Sequence, residues 1–156
     1  KYVDDIGTVS DDEVASAILS LMEKQKIVAE GAGALSVAAA MFEKVPLTDK
    51  TVCIVSGGNI DVNILSRVIN RGLLTAGRLS HLTIELLVKP GQLKDVSTTI
   101  AQYGANVIRV RHNQGGGHTD RNACLLQISM ETKNTQHFEE IKQALISKGY
   151  KITSDV

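Results

Sequence analysis

Aromatic residues make up only 3% of the 156 residues, and tryptophan is absent. Proteins that bind single-stranded nucleic acid stack its bases on aromatic side chains, so the composition argues against that class. The 17 lysine and arginine residues are balanced by 17 aspartate and glutamate residues. A chain without net charge does not favour contact with a phosphate backbone. We therefore expect no nucleic-acid partner.

Cysteine is also scarce, with Cys53 and Cys124 in separate apolar runs. A disulfide framework or a metal cluster needs more ligands, so we expect two buried free thiols in a reducing cytoplasm and no metal site. No apolar run approaches the roughly 20 residues of a membrane span, and the first residues are not a signal peptide. Because the chain starts at Lys1 without methionine, we expect it to be part of a longer protein.

Hydrophobic residues reach 43% and charged residues 22%, which is typical of a chain with a packed core. The pattern changes near Gly77, and we predict two domains, 1–79 and 80–156. In the first, Ser10 and Glu13 have the spacing of a capping box at a helix start. The β-branched run 51–55 predicts a strand buried on both faces. Three helices are predicted around this strand, over 10–25, 32–44 and about 60–74.

The second part predicts a β-α-β-β-α-β order. Apolar residues recur at every second position in its strands, as in Cys124, Leu126, Ile128 and Met130. Gly104 and Gly149 follow the two helices in the position that glycine prefers. The predicted fold class is α+β, with a ferredoxin-like βαββαβ domain after a mainly helical α/β segment.

Ser56-Gly57-Gly58-Asn59 directly follows the predicted strand 51–55. A hydroxyl at the end of a buried strand can bond a cofactor's ring nitrogen, and glycines let the backbone approach a ligand closely. Alternatively, the four residues are a plain strand-to-helix turn with Asn59 as N-cap. Taken alone, they slightly favour the turn.

Two other glycine-rich segments are weaker signals. Residues 30–34, Glu-Gly-Ala-Gly-Ala, almost match a dinucleotide-binding fingerprint, but the last glycine is missing and no acidic residue ends a following strand. Close helix packing is the better interpretation. The run 115–117 precedes no helix and predicts a hairpin tip. His112 and His118 flank it, and without further ligands they indicate solvated histidines and not a metal site.

The second part holds two more candidate surfaces. The segment 90–93, Pro-Gly-Gln-Leu, joins the first strand to its helix, and free N–H groups at a helix start can hold a carboxylate. A generic turn is the alternative. Arg109 and Arg111 share one face of the second strand, and a solvated face or a subunit contact is the simplest interpretation.

Four segments in this order resemble the C-terminal part of a threonine ammonia-lyase (threonine dehydratase) of the catabolic type, with a C-terminal ACT domain. They are 27–34, 55–61, 71–74, and 89–93 followed by 104–107. The resemblance covers essentially the whole chain. It implies that 1–79 is the C-terminal segment of a fold-type II pyridoxal-phosphate enzyme and that 80–156 is an ACT regulatory domain.

In that family a lysine holds pyridoxal phosphate, and threonine or serine is converted to a 2-oxo acid and ammonia. The resemblance implies that Ser56 faces the pyridine nitrogen, that Gly57 and Gly58 line the ring edge, and that Glu30 and Gly31 lie nearby. The family's lysine segment and its glycine-rich phosphate loop are absent from this sequence. We therefore expect no catalytic residue here, no bound cofactor, and no activity from the chain alone.

An ACT domain implies a role in allosteric regulation of amino-acid metabolism, in threonine catabolism or isoleucine biosynthesis. Carried over, Gly91, Gln92 and Leu93 contact a small amino-acid effector, with Asn106 contributed by a partner copy. Isoleucine, valine and serine are the candidates, and a homodimer or tetramer is expected. Two alternatives stay open: a ligand-free oligomerisation module, and a working lyase whose N-terminal part is not in this chain.

Overall fold

The computed structural model describes residues 3–87, 89–114 and 123–155. The chain divides into two compact units, Lys1–Thr75 (unit 1) and Ala76–Val156 (unit 2). The division lies close to the boundary at 79/80 that the sequence predicts. The roles assigned to the two parts remain predictions.

Unit 1 is helical where it has regular structure. Ser10 Oγ accepts from the Glu13 N–H at 3.3 Å, and Glu13 Oε2 accepts from the Ser10 N–H at 2.8 Å, so the predicted capping box is present. The core contains Ile18, Ala34 and Ala38, all buried. The three predicted helices are confirmed as α1 Asp11–Ser20, continued by a π-helical turn Leu21–Gln25, α2 Gly31–Met41 and α3 Val62–Thr75.

Asp61, and not Asn59, caps α3. Its Oδ1 accepts from the N–H groups of Asn63 at 2.8 Å and Ile64 at 3.4 Å. These are two of the N–H groups that a helix start leaves without partners. The suggestion that Asn59 is the N-cap is therefore wrong.

The predicted buried strand over 51–55 is also wrong. These residues form no strand, and Val52 and Ile54 are 87% and 77% exposed. A β-strand requires a neighbouring strand to complete its backbone hydrogen bonds, and the described part of unit 1 contains no other strand. Cys53 and Val55 are half-buried, so one side of the segment packs within unit 1 and the other does not.

Unit 2 has the predicted βαββαβ order. Its sheet has the strand order β2-β3-β1-β4, and the β1–β3, β1–β4 and β2–β3 pairs are antiparallel. The glycine run 115–117 and His118 lie outside the described residues. The elements are β1 Leu79–Leu87, α4 Gln92–Gln102, β2 Asn106–Gln114, β3 Ala123–Glu131, α5 Thr135–Ser147 and β4 Lys151–Asp155.

One face of this sheet is buried beneath α4 and α5. Every second side chain of β1 and β3 enters the core together with the apolar stripes of both helices. This α+β arrangement is the ferredoxin-like plan, as predicted. The buried residues include Leu82, Ile84, Leu126, Ile128, Val96, Ile100, Ile141 and Leu145.

Among the described residues, no helix combines the length and the apolar character needed to cross a membrane. No group of three or more His, Cys, Asp or Glu side chains in the same residues could hold a metal ion.

Candidate functional site

The turn at Ser56–Gly58 packs against the start of α2. The Glu30 N–H donates to the Gly57 carbonyl at 2.8 Å, and the Ser36 hydroxyl donates to the Ile54 carbonyl at 2.8 Å. A methyl group at Gly33 would overlap the Ser56 carbonyl oxygen. The structure therefore brings together the two glycine-rich segments that the sequence singled out separately.

The geometry of this turn requires glycine at position 57. Gly57 has φ +66, and a side chain there would overlap the Glu30 carboxylate. Only glycine combines this backbone conformation with such close neighbours. At Gly58 a methyl group would make a tight contact, 3.3 Å from the Val28 carbonyl. The Ser56 residue itself is exposed.

The residues gathered here offer groups that can line one side of a flat cofactor ring, and their assignment to pyridoxal phosphate remains a prediction. Ser56 offers a neutral hydroxyl, and Gly57, Gly58 and Gly31 offer backbone that a flat ring can approach. The set contains no lysine that could bind an aldehyde covalently. Its chemistry therefore suits the ring-nitrogen side of the cofactor and not its anchor.

Unit 2 has a concave surface of about 470 Å³ where β1 passes into α4. Gly91, the residue before α4, has φ +90 and makes no side-chain cap. Of the predicted effector residues, Gly91, Gln92 and Leu93 all line this surface. Its lining is mostly apolar and also includes Leu86, Leu87, Lys89, Pro90, His112 and Cys124.

Gln92 carries the least satisfied polar atom of this surface. Its Oε1 is buried and has no hydrogen-bond partner among the described residues. A buried amide oxygen without a donor is costly, and such groups invite a ligand that supplies the missing proton. The position can accept a hydrogen bond from an ammonium group.

His112 and Cys124 were not predicted to line this surface. The His112 Nε2 and Cys124 Sγ atoms are 3.0 Å apart, and the thiol also reaches the Leu86 carbonyl at 3.5 Å. The signal lay in the strand alternation, because His112 pairs with Leu126 and so shares the helix-covered face. Both cysteines are free thiols, and Cys124 is buried as predicted, whereas Cys53 is only half-buried, so the prediction of a buried thiol is wrong at that position.

Asn106 lies at the other end of the sheet. It pairs with Glu131, which in turn pairs with Leu79 at the start of β1, whereas Gly91 follows the end of β1. Eight residues of strand separate these ends, roughly 25 Å. Within one chain, Asn106 therefore does not meet Gly91, and its predicted contact from a partner copy remains a prediction.

The helix α4 is tied to the end of the chain through Asp95. The Tyr150 hydroxyl donates to Asp95 Oδ2 at 2.8 Å, and Lys148 Nζ donates to Oδ1 at 3.0 Å. These two hydrogen bonds lower the pKa of Asp95. Burial, with the Asp95 carboxylate as a second cause, raises the pKa of Tyr150 to about 12. The contacts hold the first turn of α4, which carries Gln92.

The fold and these two sites define a class: a ferredoxin-like α+β unit with a concave surface beside its first helix, in a chain that also contains a helical unit with a glycine-lined turn. No protein-family model matches the chain. A solved structure, protein BT0572 from Bacteroides thetaiotaomicron, aligns with 51% of this chain and 49% of its own at 17% identity and a TM-score of 0.37. That likeness is too low to carry an argument.

Sequence relatives are much closer. The chain is 43% identical over 153 residues to an L-threonine ammonia-lyase of Thermotoga maritima, covering 97% of this chain and 38% of that protein. It is 39% identical over 149 residues to an L-threonine ammonia-lyase of Geobacter sulfurreducens, covering 95% and 37%. An L-threonine dehydratase biosynthetic IlvA of Staphylococcus epidermidis shares 43% identity over 94 residues, 60% of this chain and 22% of that protein.

Nearly the whole chain is therefore homologous to proteins named threonine ammonia-lyase, and the resemblance seen in the sequence is confirmed. The chain spans less than two fifths of the length of the first two relatives. A biosynthetic name also occurs among the relatives, so the catabolic type remains a prediction.

Proposed function

We propose that this chain is the C-terminal regulatory part of a cytoplasmic, pyridoxal-phosphate-dependent threonine (serine) ammonia-lyase. The parent enzyme converts threonine to 2-oxobutanoate and ammonia. The observation that carries this proposal is the 39–43% identity, across nearly the entire chain, to two proteins named L-threonine ammonia-lyase. The exposed Val52 and Ile54 agree with it, since apolar side chains of this size are normally covered in a complete protein.

Unit 1 would supply one wall of the lyase's cofactor site. When bound, pyridoxal phosphate supplies the electron sink that makes the α-proton of the amino acid removable. Ser56 would hold the ring nitrogen through a neutral hydroxyl, and Gly57 and Gly58 would line the ring edge. The contact between Glu30 and Gly57 would keep this turn in place.

The chain alone should not catalyse the reaction, because the anchoring lysine segment is not in it. We would incubate the 156-residue chain with pyridoxal phosphate and threonine and measure 2-oxobutanoate. No turnover above a blank is expected. Measurable turnover would overturn the assignment of this chain as a non-catalytic part.

Unit 2 would act as the amino-acid sensor. Free N–H groups at the start of α4 would hold the effector's carboxylate, and Gln92 Oε1 would accept from its ammonium group. The apolar lining from Leu86 and Leu93 would take the side chain of isoleucine or valine. Serine, the third candidate, matches this lining less well because its side chain is polar.

Binding would regulate the lyase through linkage. An effector that binds one paired arrangement of ACT domains more tightly shifts the enzyme toward that arrangement by its difference in affinity. We propose that Asn106 reaches the effector from the second copy of a homodimer or tetramer. Its present bond to Glu131 Oε2 at 2.8 Å shows that the side chain can act as a hydrogen-bond donor.

Calorimetry with isoleucine, valine and serine tests the sensor. We expect millimolar or tighter binding that weakens about tenfold or more in Gly91→Ala, because φ +90 is strained for alanine, and in Asn106→Ala. Gly104→Ala is the matched control, since Gly104 has φ +79 and equally open surroundings but follows the far end of α4. Sedimentation of the same samples measures dimer formation.

The outcomes separate the alternatives. Dimerisation with no response to any amino acid would favour a ligand-free oligomerisation module. Equal affinity in the wild type and in both Gly91→Ala and Asn106→Ala would remove the assigned residues from the site.

A further inference from the structure

The face of the unit 2 sheet that α4 and α5 leave uncovered carries an ordered set of hydrogen-bond donors. In one row across three strands, Arg109 pairs with Ser129 and Ser129 pairs with His81. The next row on the same face contains Arg111, Gln127 and Thr83. We call these six residues the donor array. All of them line a shallow concavity of about 210 Å³.

The spacing of the donor array suits a small oxyanion. Alternate residues of a strand lie roughly 6–7 Å apart, so the two guanidinium groups flank a position that an anion could occupy between them. Guanidinium forks match phosphate oxygens in pairs. The Ser129 hydroxyl and the Gln127 amide belong to the neighbouring strand β3 and can donate as well, and the Thr83 hydroxyl lies one strand further, on β1.

The charge of the donor array is not neutralised locally. Among the described residues on this face, the carboxylates next along the strands are Glu85 and Glu131. Glu85 pairs with Lys151 Nζ at 2.7 Å, and Glu131 accepts from Asn106. Two like charges on adjacent same-face positions repel each other, and a bound anion would remove that repulsion.

The His81 ring is already held in this arrangement. Its Nδ1 lies 2.9 Å from Ser129 Oγ, which fixes the ring over the β3 strand and leaves the other ring nitrogen available. A ligand whose anion sits at the arginines could extend its polar body across β3 toward His81, a width of roughly 10 Å over three strands.

We propose that the donor array binds a small phosphate monoester with a polar body, at a site separate from the amino-acid surface at Gly91–Leu93. A second copy packed face to face is the less suitable occupant, because it would gather four arginines without a carboxylate among the array residues. The proposal does not depend on the proposed lyase function.

The test uses the 156-residue chain, inorganic phosphate and glycerol phosphate as probes, and amide NMR at constant ionic strength set with chloride. We expect saturable shifts at His81, Thr83, Gln127 and Ser129. Glycerol phosphate should bind about threefold or more tightly than inorganic phosphate, since its hydroxyls reach the neighbouring donors.

Arg109→Gln and Arg111→Gln should each weaken binding about five- to tenfold, because each removes one charge-assisted pair. Arg67→Gln is the matched control, since it removes the same charge from an exposed position on α3 and should change nothing. Linear shifts that do not saturate, equal effects of all three variants, or shifts confined to Gln92 would overturn the proposal. Shifts on this face that follow protein concentration and not phosphate would assign it to self-association instead.

Discussion

Replacing Gln92 by methionine should stabilise unit 2 while impairing effector binding. The two side chains have similar size, and their helix propensities are nearly equal. Methionine removes the buried Oε1 that has no donor among the described residues. A buried polar atom without a partner costs about 1–3 kcal/mol, and because Gln92 as a whole is only half-buried we take the lower end.

The free energy of unfolding of unit 2 should therefore rise by about 1 kcal/mol, which raises the midpoint by about 4–8 °C for a domain of this size. Thermal unfolding followed by circular dichroism measures this change. Hydrogen exchange of the β3 amides measures the stability of unit 2 separately from that of unit 1. Calorimetry with isoleucine should show affinity about tenfold lower, since the ammonium group loses its acceptor.

Gln102→Met is the control, because Gln102 is exposed near the other end of α4. It should change neither stability nor affinity. If Gln92→Met left unit 2 equally stable or less stable, the Gln92 Oε1 atom would already have a hydrogen-bond donor in the wild type. The reasoning that makes it a ligand contact would then be refuted.

Three further variants test the local physics. Gly33→Ala should push the Ser56 carbonyl off α2, destabilise unit 1 by about 1–3 kcal/mol and speed exchange of the Glu30 amide. Ser10→Ala should cost about 1 kcal/mol of unit 1 stability in denaturant unfolding, because the capping box is lost. Asp95→Asn should make the free energy of unfolding of unit 2 depend less on pH in the acid range. Because the pKa of Asp95 is lowered in the folded state, its carboxylate stabilises the fold above the ordinary value of 3.8, and this contribution disappears as pH falls through the folded-state pKa.

Each variant has a matched comparison. Gly31→Ala places its methyl 3.9 Å from the nearest side chain and should be harmless, so equal damage by both glycine variants would contradict the close-contact argument. Ser16→Ala, inside α1, should lower the free energy of unfolding of unit 1 by less than Ser10→Ala does. Equal losses in the two variants would show that the cap at Ser10 does not stabilise the helix. Glu140→Gln, at an exposed position on α5, is the control for Asp95→Asn and should leave the pH dependence of unit 2 stability unchanged. If both variants weakened that pH dependence equally, Asp95 would not be its cause.

Local patterns predicted most of the fold, because their causes are local. The capping box at Ser10 needs only residues three apart. The alternation of Leu126, Ile128 and Met130 follows from one sheet face being buried. The glycine-lined turn at Ser56 was recognised, but its contact with Glu30 required the tertiary structure.

The failures have non-local causes. Residues 51–55 have the composition of a strand, but strand formation depends on neighbours that composition does not show. Alternation along β2 puts His112 on the face opposite Arg109 and Arg111, but its neighbours at the concave surface follow from the register between β2 and β3, which no single strand reveals. The concave surface itself is lined by residues of β1, β2, β3 and α4, so spacing along the sequence could not outline it.

The most direct test of the account is to locate amino-acid binding on unit 2. Amide NMR of the 156-residue chain titrated with isoleucine should show saturable shifts at Gly91, Gln92, Leu93 and His112. If isoleucine, valine and serine all failed to shift these amides at millimolar concentration, or shifted residues elsewhere, the assignment of unit 2 as the lyase's amino-acid sensor would be contradicted.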